Sequence, residues 1–270
     1  MHQLLISDAE FARVRSLAMK MAGISLPASK KTLVVSRWGK RLAFHQLDSI
    51  SDYLDLIDEE RSAEELQISL DLLTTNETYF FREPKHFDFL RDEVFRKSKG
   101  ADSIRVWSAA CSTGEEPYSV AMQMAAELAH SNWEVVGSDI SSRVLEAAQR
   151  GMFDSNRIEG IPPAYLQRFC LKGTGPYAGK LLIDKQLRAR VRFERVNLNE
   201  PLPRLGLFDV ILLRNVMIYF DMPTKARLIQ RLIPCLKPGG YFLIGHCDSI
   251  SGIPHPLELK QTAVYRKPLP

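Results

Sequence analysis

The sequence predicts an α/β protein: a parallel sheet wrapped by helices, carrying a small inserted antiparallel β-subdomain and preceded by a small all-helical domain. Three observations predict it. Residues 1–75 show helical spacing and helix punctuation with no convincing strand. From Arg105 onward apolar runs alternate with helical stretches, the signature of strands and helices around a parallel sheet. Between Pro162 and Leu187 that alternation breaks around a glycine-rich stretch. The 270 residues have room for one large or two smaller domains, and 45% hydrophobic with 25% charged residues excludes disorder, collagen-like repeats and a disulfide scaffold.

In the first segment Ser7 offers an N-cap with Glu10 three residues on, and Phe11, Val14, Leu17, Ala18 and Met21 follow at helical spacing until Gly23. Pro27 to Ser29 open a second helix with Leu33, Val34, Trp38 and Leu42 as its apolar side, while Arg37, Lys40, Arg41 and Phe44 share its other face. Residues 48–54 and the stretch from Ala63 to Leu73 read as two further helices. Charge is polarised along this segment: Phe11 to Leu47 holds eight cations and no carboxylate, whereas Asp48 to Asp71 holds nine acids, Glu59 and Glu60 among them, and a single Arg61. Such polarity suggests a face meant for an anionic partner, or simply two solvated helix faces.

Candidate strands follow at Ile104–Ser108, Trp133–Ser138, Val191–Val196, Phe208–Leu213, Tyr241–Gly245 and Ala263–Lys267. Helices are expected from Glu116 to Ala129, Ser142 to Gly151 and Pro223 to Leu236. Arg168–Lys172 and Lys180–Asp184 flank the turn from Gly173 to Gly179 and read as a strand pair, an insert over about 162–187. The loop from Ala109 to Glu116 joins the first strand to a helix, a geometry in which backbone N–H groups face a ligand. Against the G-x-G-x-x-G theme only Gly114 survives, and Glu115 with Glu116 would oppose a pyrophosphate but suit a cationic ligand. Asp139 ends the second strand, where a carboxylate can accept ribose hydroxyls or else cap the next helix. Arg214 and Asn215 follow the fourth strand at the end of the sheet where ligands bind. Cys111, Cys170, Cys235 and Cys247 have no zinc-ligand or redox spacing, so neither a metal site nor a disulfide is expected. Without an apolar run of ~18 residues or a leader-like N-terminus, a cytoplasmic location without membrane insertion is expected.

Together these stretches resemble S-adenosylmethionine-dependent methyltransferases, and the resemblance narrows to the chemotaxis receptor glutamate methyltransferases, the CheR family. The residues that carry it run from Thr74 and Thr75 to Glu83, from Val106 to Ser119 and from Arg214 to Asp221. The resemblance implies a Rossmann-like class I methyltransferase domain over 76–270, including the insert, behind an all-helical domain over 1–75. It implies a cofactor pocket lined by Asn76, Thr78 and Arg82, with Glu116 at the methionine end, Asp139 on the ribose, Asn197 and Leu198 at the adenine, and Arg214 and Asn215 beneath the cofactor. Tyr219 corresponds to a tyrosine near the methyl group, and Cys111 stands where an alanine is often found; methyl transfer needs no thiol nucleophile.

The implied activity is protein-glutamate O-methylation in chemotactic signal transduction: a chemoreceptor glutamate receives the methyl of S-adenosylmethionine, giving a γ-glutamyl methyl ester and S-adenosylhomocysteine. Arg82 and Tyr219 are the candidate catalytic residues. A glutamate of ordinary pKa about 4.3 is already ionised near neutrality, so no general base is required. The implied partner is the helical cytoplasmic region of methyl-accepting chemoreceptors, met by Arg37, Lys40, Arg41 and Phe44; no nucleic acid is expected. In some members a receptor's C-terminal peptide binds the insert, here near Leu171. An RNA methyltransferase is the alternative, weakened because Arg214 to Met217 occupy the place where amine-methylating enzymes commonly carry an Asn/Asp-Pro-Pro-aromatic motif. A protein that binds S-adenosylmethionine without turnover is the third reading.

Overall fold

The computed structural model describes residues 5–58, 63–74, 76–98, 103–128 and 132–270. Of the residues read above, the first four, Glu59, Glu60, Arg61, Thr75 and Ala129 lie outside the described residues. The chain forms two compact units, Met1–Thr75 with Tyr219–Thr224, and Asn76–Ile218 with Lys225–Pro270.

The first unit contains helices α1 (Asp8–Ala22), α2 (Lys31–His45), α3 (Ile50–Asp58) and α4 (Ala63–Leu73). The Ser7 side chain accepts the Glu10 N–H while the Glu10 carboxylate takes the Ser7 N–H at 2.8 Å, a capping box that satisfies two otherwise orphaned donors. Val14, Ala18, Val34, Trp38, Leu42, Tyr53 and Leu54 are buried at helical spacing, and the indole N–H of Trp38 donates to the Ser69 carbonyl at 3.1 Å. Part of the charge polarity is consumed between helices. Arg13 pairs with Asp55 at 2.6 Å and Arg41 with Glu65, so cations of α1 and α2 meet acids of α3 and α4.

The second unit begins with α5 (Pro84–Phe89), which runs into a π-helical turn over Leu90–Phe95. There follow β1 (Ile104–Ser108), α6 (Glu115–Glu127), β2 (Trp133–Asp139), α7 (Ser142–Arg150), β3 (Met152–Asp154), α8 (Pro163–Phe169), β4 (Cys170–Lys172), β5 (Lys180–Ile183), α9 (Lys185–Arg188) and β6 (Val191–Arg195). Then come β7 (Phe208–Leu213), α10 (Met222–Leu232), β8 (Leu236–Ile244), β9 (Glu258–Gln261) and β10 (Val264–Arg266). The main sheet has the order β6-β2-β1-β7-β8-β10-β9, parallel from β6 to β8 and antiparallel thereafter. Chain order reverses between β1 and β7, the switch point at which open α/β sheets bind ligands.

The structure adds helices α5, α8 and α9 to the sequence expectation, with Arg168 and Phe169 ending α8 and not opening a strand, and three further details differ. The inserted pair is a three-stranded antiparallel sheet, β3-β5-β4, because Met152–Asp154 pairs with β5; three residues are too few to show a period. Strand β9 was unread because all four of its residues are exposed, leaving no apolar run. Helix α10 ends at Leu232 and not near Leu236, since Pro234 has no N–H to continue it and Leu236 already starts β8. In the insert, Gly173 is required by close approach: a Cβ there would sit 1.9 Å from the Tyr177 carbonyl oxygen.

Candidate active site

The parallel strands end on one side of the sheet, and the loops leaving them gather two polar networks. After β1 the chain is stitched to both neighbours, the Ala109 N–H donating to the Leu212 carbonyl at 2.9 Å and the Cys111 N–H to the Ser138 carbonyl at 2.8 Å. The turn into α6 passes through Gly114 at φ 97°, where a Cβ would meet the Ala148 side chain at 2.9 Å. Ser112 N–H donates to one Asp139 oxygen at 2.9 Å and Ser141 N–H to the other at 3.1 Å. Asp139 is buried. Ser141 caps α7 by accepting the Val144 N–H, so capping is not Asp139's role. The Val196 N–H donates to the Asp139 carbonyl at 3.0 Å, which draws in the turn holding Asn197 and buried Leu198. Asn197 donates to Glu200 at 2.8 Å and accepts the Asn199 N–H at 3.0 Å. The Ser112 hydroxyl donates to the Asn76 carbonyl at 3.2 Å, bringing that segment to the same loop.

The second network centres on Arg214, which leaves β7 buried. Its Nη1 donates to Glu116 at 2.7 Å, its Nη2 lies 3.2 Å from Glu83 Oε2, and it also donates to the Arg82 carbonyl. Glu116 accepts the Ser108 hydroxyl at 2.7 Å on its other oxygen. Glu83 Oε1 accepts from the Asn215 side chain at 3.1 Å and from the His246 N–H at 3.2 Å. Asp248 takes the N–H groups of Asn215 at 2.6 Å and of Gly245 and Ile218 at 3.1 Å, and so holds the loop after β7 to the end of β8. One guanidinium between two carboxylates leaves an excess negative charge that suits a cationic ligand.

Burial pushes Glu83 toward protonation, yet the Arg214 charge and the hydrogen bonds from Asn215 and His246 outweigh it and hold the carboxyl below its usual range. Burial, reinforced by the Arg214 charge, brings His86 down to about 4 and keeps it neutral. Burial raises Asp248 despite its three N–H donors. The buried Cys111 thiol is pushed well up by desolvation and then by the charges of Asp139 and Glu116, which fits an inert thiol. Among the described residues six non-glycines have positive φ, and four of them, Phe81, Glu83, Ser112 and Asn215, lie in the segments of these networks. Left-handed backbone at such residues persists only where surrounding contacts hold it, as at ligand sites.

Arg82, Glu116, Arg214 and Asn215 thus share one network; Asn76 and Asp139 both meet Ser112 in the loop after β1, and Asn197 and Leu198 lie in the turn that Val196 ties to Asp139. The expected pair of glutamates divides. Glu115 is fully buried, raised by desolvation, and meets Arg157 at 2.5 Å and the Thr113 hydroxyl at 2.6 Å, leaving Glu116 alone to Arg214. Arg157 also donates to the Thr78 carbonyl at 3.3 Å. The Arg82 guanidinium donates to the Glu77 carbonyl at 2.9 Å and lies over the Tyr79 ring. Tyr219 falls outside both networks; it groups with the first unit, its carbonyl accepting the Ser25 N–H at 2.8 Å. In that unit Arg37 is engaged by the Leu72 and Thr74 carbonyls at 2.9 and 2.7 Å, and Arg41 by Glu65, while Lys40 and Phe44 are exposed.

Sequence reasoning missed Glu83 as a partner of Arg214, together with His86, Arg157, His246 and Asp248. The available signal was polar residues set in apolar surroundings: His86 beside Phe87, and a Gly-His-Cys-Asp run from Gly245 to Asp248 just after a buried strand.

The family model described as "CheR methyltransferase, SAM binding domain" matches residues 76–266, and that described as "CheR methyltransferase, all-alpha domain" matches residues 9–74. The chain is 40% identical over 268 residues to the chemotaxis protein methyltransferase of Escherichia coli, covering 97% of this chain and 92% of that protein. It is 39% identical over 266 residues to the chemotaxis protein methyltransferase of Salmonella typhimurium, covering 97% and 91%. It is 40% identical over 259 residues to chemotaxis protein methyltransferase 2 of Pseudomonas aeruginosa, covering 95% and 92%.

Proposed function

The chain belongs to the CheR methyltransferase family, and from that premise we propose that it transfers the methyl group of S-adenosylmethionine to glutamate carboxylates of chemoreceptors, forming γ-glutamyl methyl esters. The match over both domains carries this reading. The protein is a methyltransferase with an all-helical N-terminal domain and a Rossmann-like class I cofactor domain, and among the described residues no helix is long and apolar enough to cross a membrane.

The residues present suit the cofactor. When bound, S-adenosylmethionine supplies a methyl group made electrophilic by its sulfonium. Asp139 places a carboxylate at the end of β2, where ribose hydroxyls are held, and the excess negative charge around Arg214 balances a sulfonium, with Glu116 at the methionine end. Asn76, Thr78, Asn197, Leu198 and Asn215 complete the pocket in this reading. Arg82 positions a carboxylate through its guanidinium, Tyr219 orients a carboxylate oxygen through its hydroxyl, and exclusion of water strengthens both contacts. Too tight an ion pair would blunt the nucleophile, and among the described residues the Arg82 guanidinium donates to a carbonyl and pairs with no carboxylate.

Substrate docking belongs to the first unit in this proposal. With Arg37 committed to carbonyls and Arg41 to Glu65, steering of an acidic receptor helix rests on Lys40 and the other exposed cations, with Phe44 as apolar contact and the Arg41 guanidinium over its ring. Strand β4, with Leu171 exposed, is an edge of the inserted sheet and offers a tether for a receptor C-terminal peptide. Methylation places the protein on the cytoplasmic side of the receptor. Incubation with radiolabelled S-adenosylmethionine and receptor-rich membranes, followed by alkali, should release volatile methanol because esters are base-labile. Label that is absent from receptors, or that resists alkali as methylated RNA amines do, would overturn the proposal.

A further inference from the structure

We propose that Glu83, His86 and His246 form a binding site for a divalent transition-metal ion, with zinc(II) as the best match to the donor set. One donor atom from each residue lies within 4.8 Å of the others. Glu83 Oε2 is 3.2 Å from His86 Nδ1 and 3.9 Å from His246 Nε2. Neighbouring ligands of a tetrahedral zinc, at metal–ligand distances of about 2.0–2.1 Å, stand about 3.3 Å apart. The first edge therefore already fits, and the second closes by rotation of the His246 side chain, which is 44% exposed at the mouth of the site.

His86 is the observation that points to a ligand. It is 1% exposed, and neither ring nitrogen makes a hydrogen bond to the protein. A buried imidazole ordinarily satisfies both nitrogens, whereas here a bare ring nitrogen faces a carboxylate 3.2 Å away, the arrangement of two metal donors. Glu83 Oε2 is likewise buried without a hydrogen bond, its 3.2 Å contacts to His86 and Arg214 lacking hydrogen-bond geometry. Two histidines and a carboxylate leave a fourth position open. The Arg214 charge opposes a cation, but Glu83 and Glu116 together outnumber it, so the site is expected to bind more weakly than a structural zinc site. An ion here competes with Arg214 for Glu83 and so reaches the segment carrying Glu116; that consequence rests on the cofactor reading above, whereas the ion site does not.

The test is calorimetric titration of zinc chloride into the full chain stripped by chelator, without cofactor, alongside His246→Ala and Cys247→Ser. The second variant removes the exposed neighbouring thiol as a competing ligand. One zinc per chain with micromolar affinity is expected, weakened about a hundredfold in His246→Ala and changed by less than about threefold in Cys247→Ser. No saturable binding below about 100 µM would overturn the site. So would undiminished binding in His246→Ala, or binding lost only in Cys247→Ser. S-adenosylhomocysteine binding, measured separately in chelator, tests the cofactor reading on its own; its failure would leave the zinc result standing.

Discussion

Arg41 in the first unit and Arg214 in the second each meet buried glutamate, and the surroundings of the two arginines differ in a way that separates a structural pin from a ligand site. Glu65 accepts from Arg41 Nε at 2.8 Å and from the Tyr53 hydroxyl at 2.6 Å, with His45 at 3.1 Å. One cation faces one anion, and burial of the carboxyl is more than offset by Arg41, Tyr53 and His45, which hold it at about 2. Around Arg214 one cation faces two anions, the guanidinium Nε is unpartnered, neither His86 ring nitrogen has a hydrogen bond, and Glu83 sits in left-handed backbone at φ 59°. Buried polar clusters that exist for stability are closed and satisfied; those that await a ligand carry an imbalance in charge and in hydrogen bonds.

Removing each charge should break the two clusters differently. The largest effect is expected from Arg214→Met, which leaves Glu83 and Glu116 buried without a counter-charge: about 3–5 kcal/mol of stability lost in thermal unfolding, together with cofactor binding in calorimetry. Stability lost with S-adenosylhomocysteine affinity intact would make the Arg214 cluster another pin. Acid titration sharpens the other side. The Glu65 carboxyl titrates near 2 folded against an ordinary 4.5, so about 3 kcal/mol of stability is present in full above pH 4.5 and is lost as pH falls toward 2. Urea unfolding between about pH 6 and 3 should show this slope in the wild type and not in Glu65→Gln, and parallel curves would remove Glu65 from that role. The smallest effect is expected from Asp139→Ala, which removes the proposed ribose acceptor beside the Arg214 cluster and weakens S-adenosylhomocysteine by about 1–3 kcal/mol in calorimetry. Undiminished affinity would remove Asp139 from the ribose site.

How far the site was legible depended on the range of the interactions. Asp139 and Arg214 could be read because each follows a buried strand directly, and a polar residue at that place has few uses other than a ligand. The partner of Arg214 could not be read, because Glu83 lies far along the chain and nothing within a few residues of either marks the pairing. The contacts of Arg37 and Arg41 within the first unit were illegible for the same reason. Helical spacing set them apart from Trp38, whereas in the fold α4 meets all three, with Ser69 at Trp38, Leu72 at Arg37 and Glu65 at Arg41.

By itself the sequence determined the helical first segment, the alternation of strands and helices, the loops that carry polar groups at strand ends, and the long motifs that mark the family, since all of these are written in contiguous residues and short-range periodicity. Tertiary structure alone decided that Met152–Asp154 completes the inserted sheet, that Glu115 turns to Arg157 while Glu116 turns to Arg214, and that Glu83, His86 and His246 converge. Each of those outcomes is a contact between residues distant in sequence. Propensity and patterning act over a turn or a strand, whereas which buried charges meet is settled by how the sheet orders its strands and by the cost of leaving a desolvated polar group without a partner.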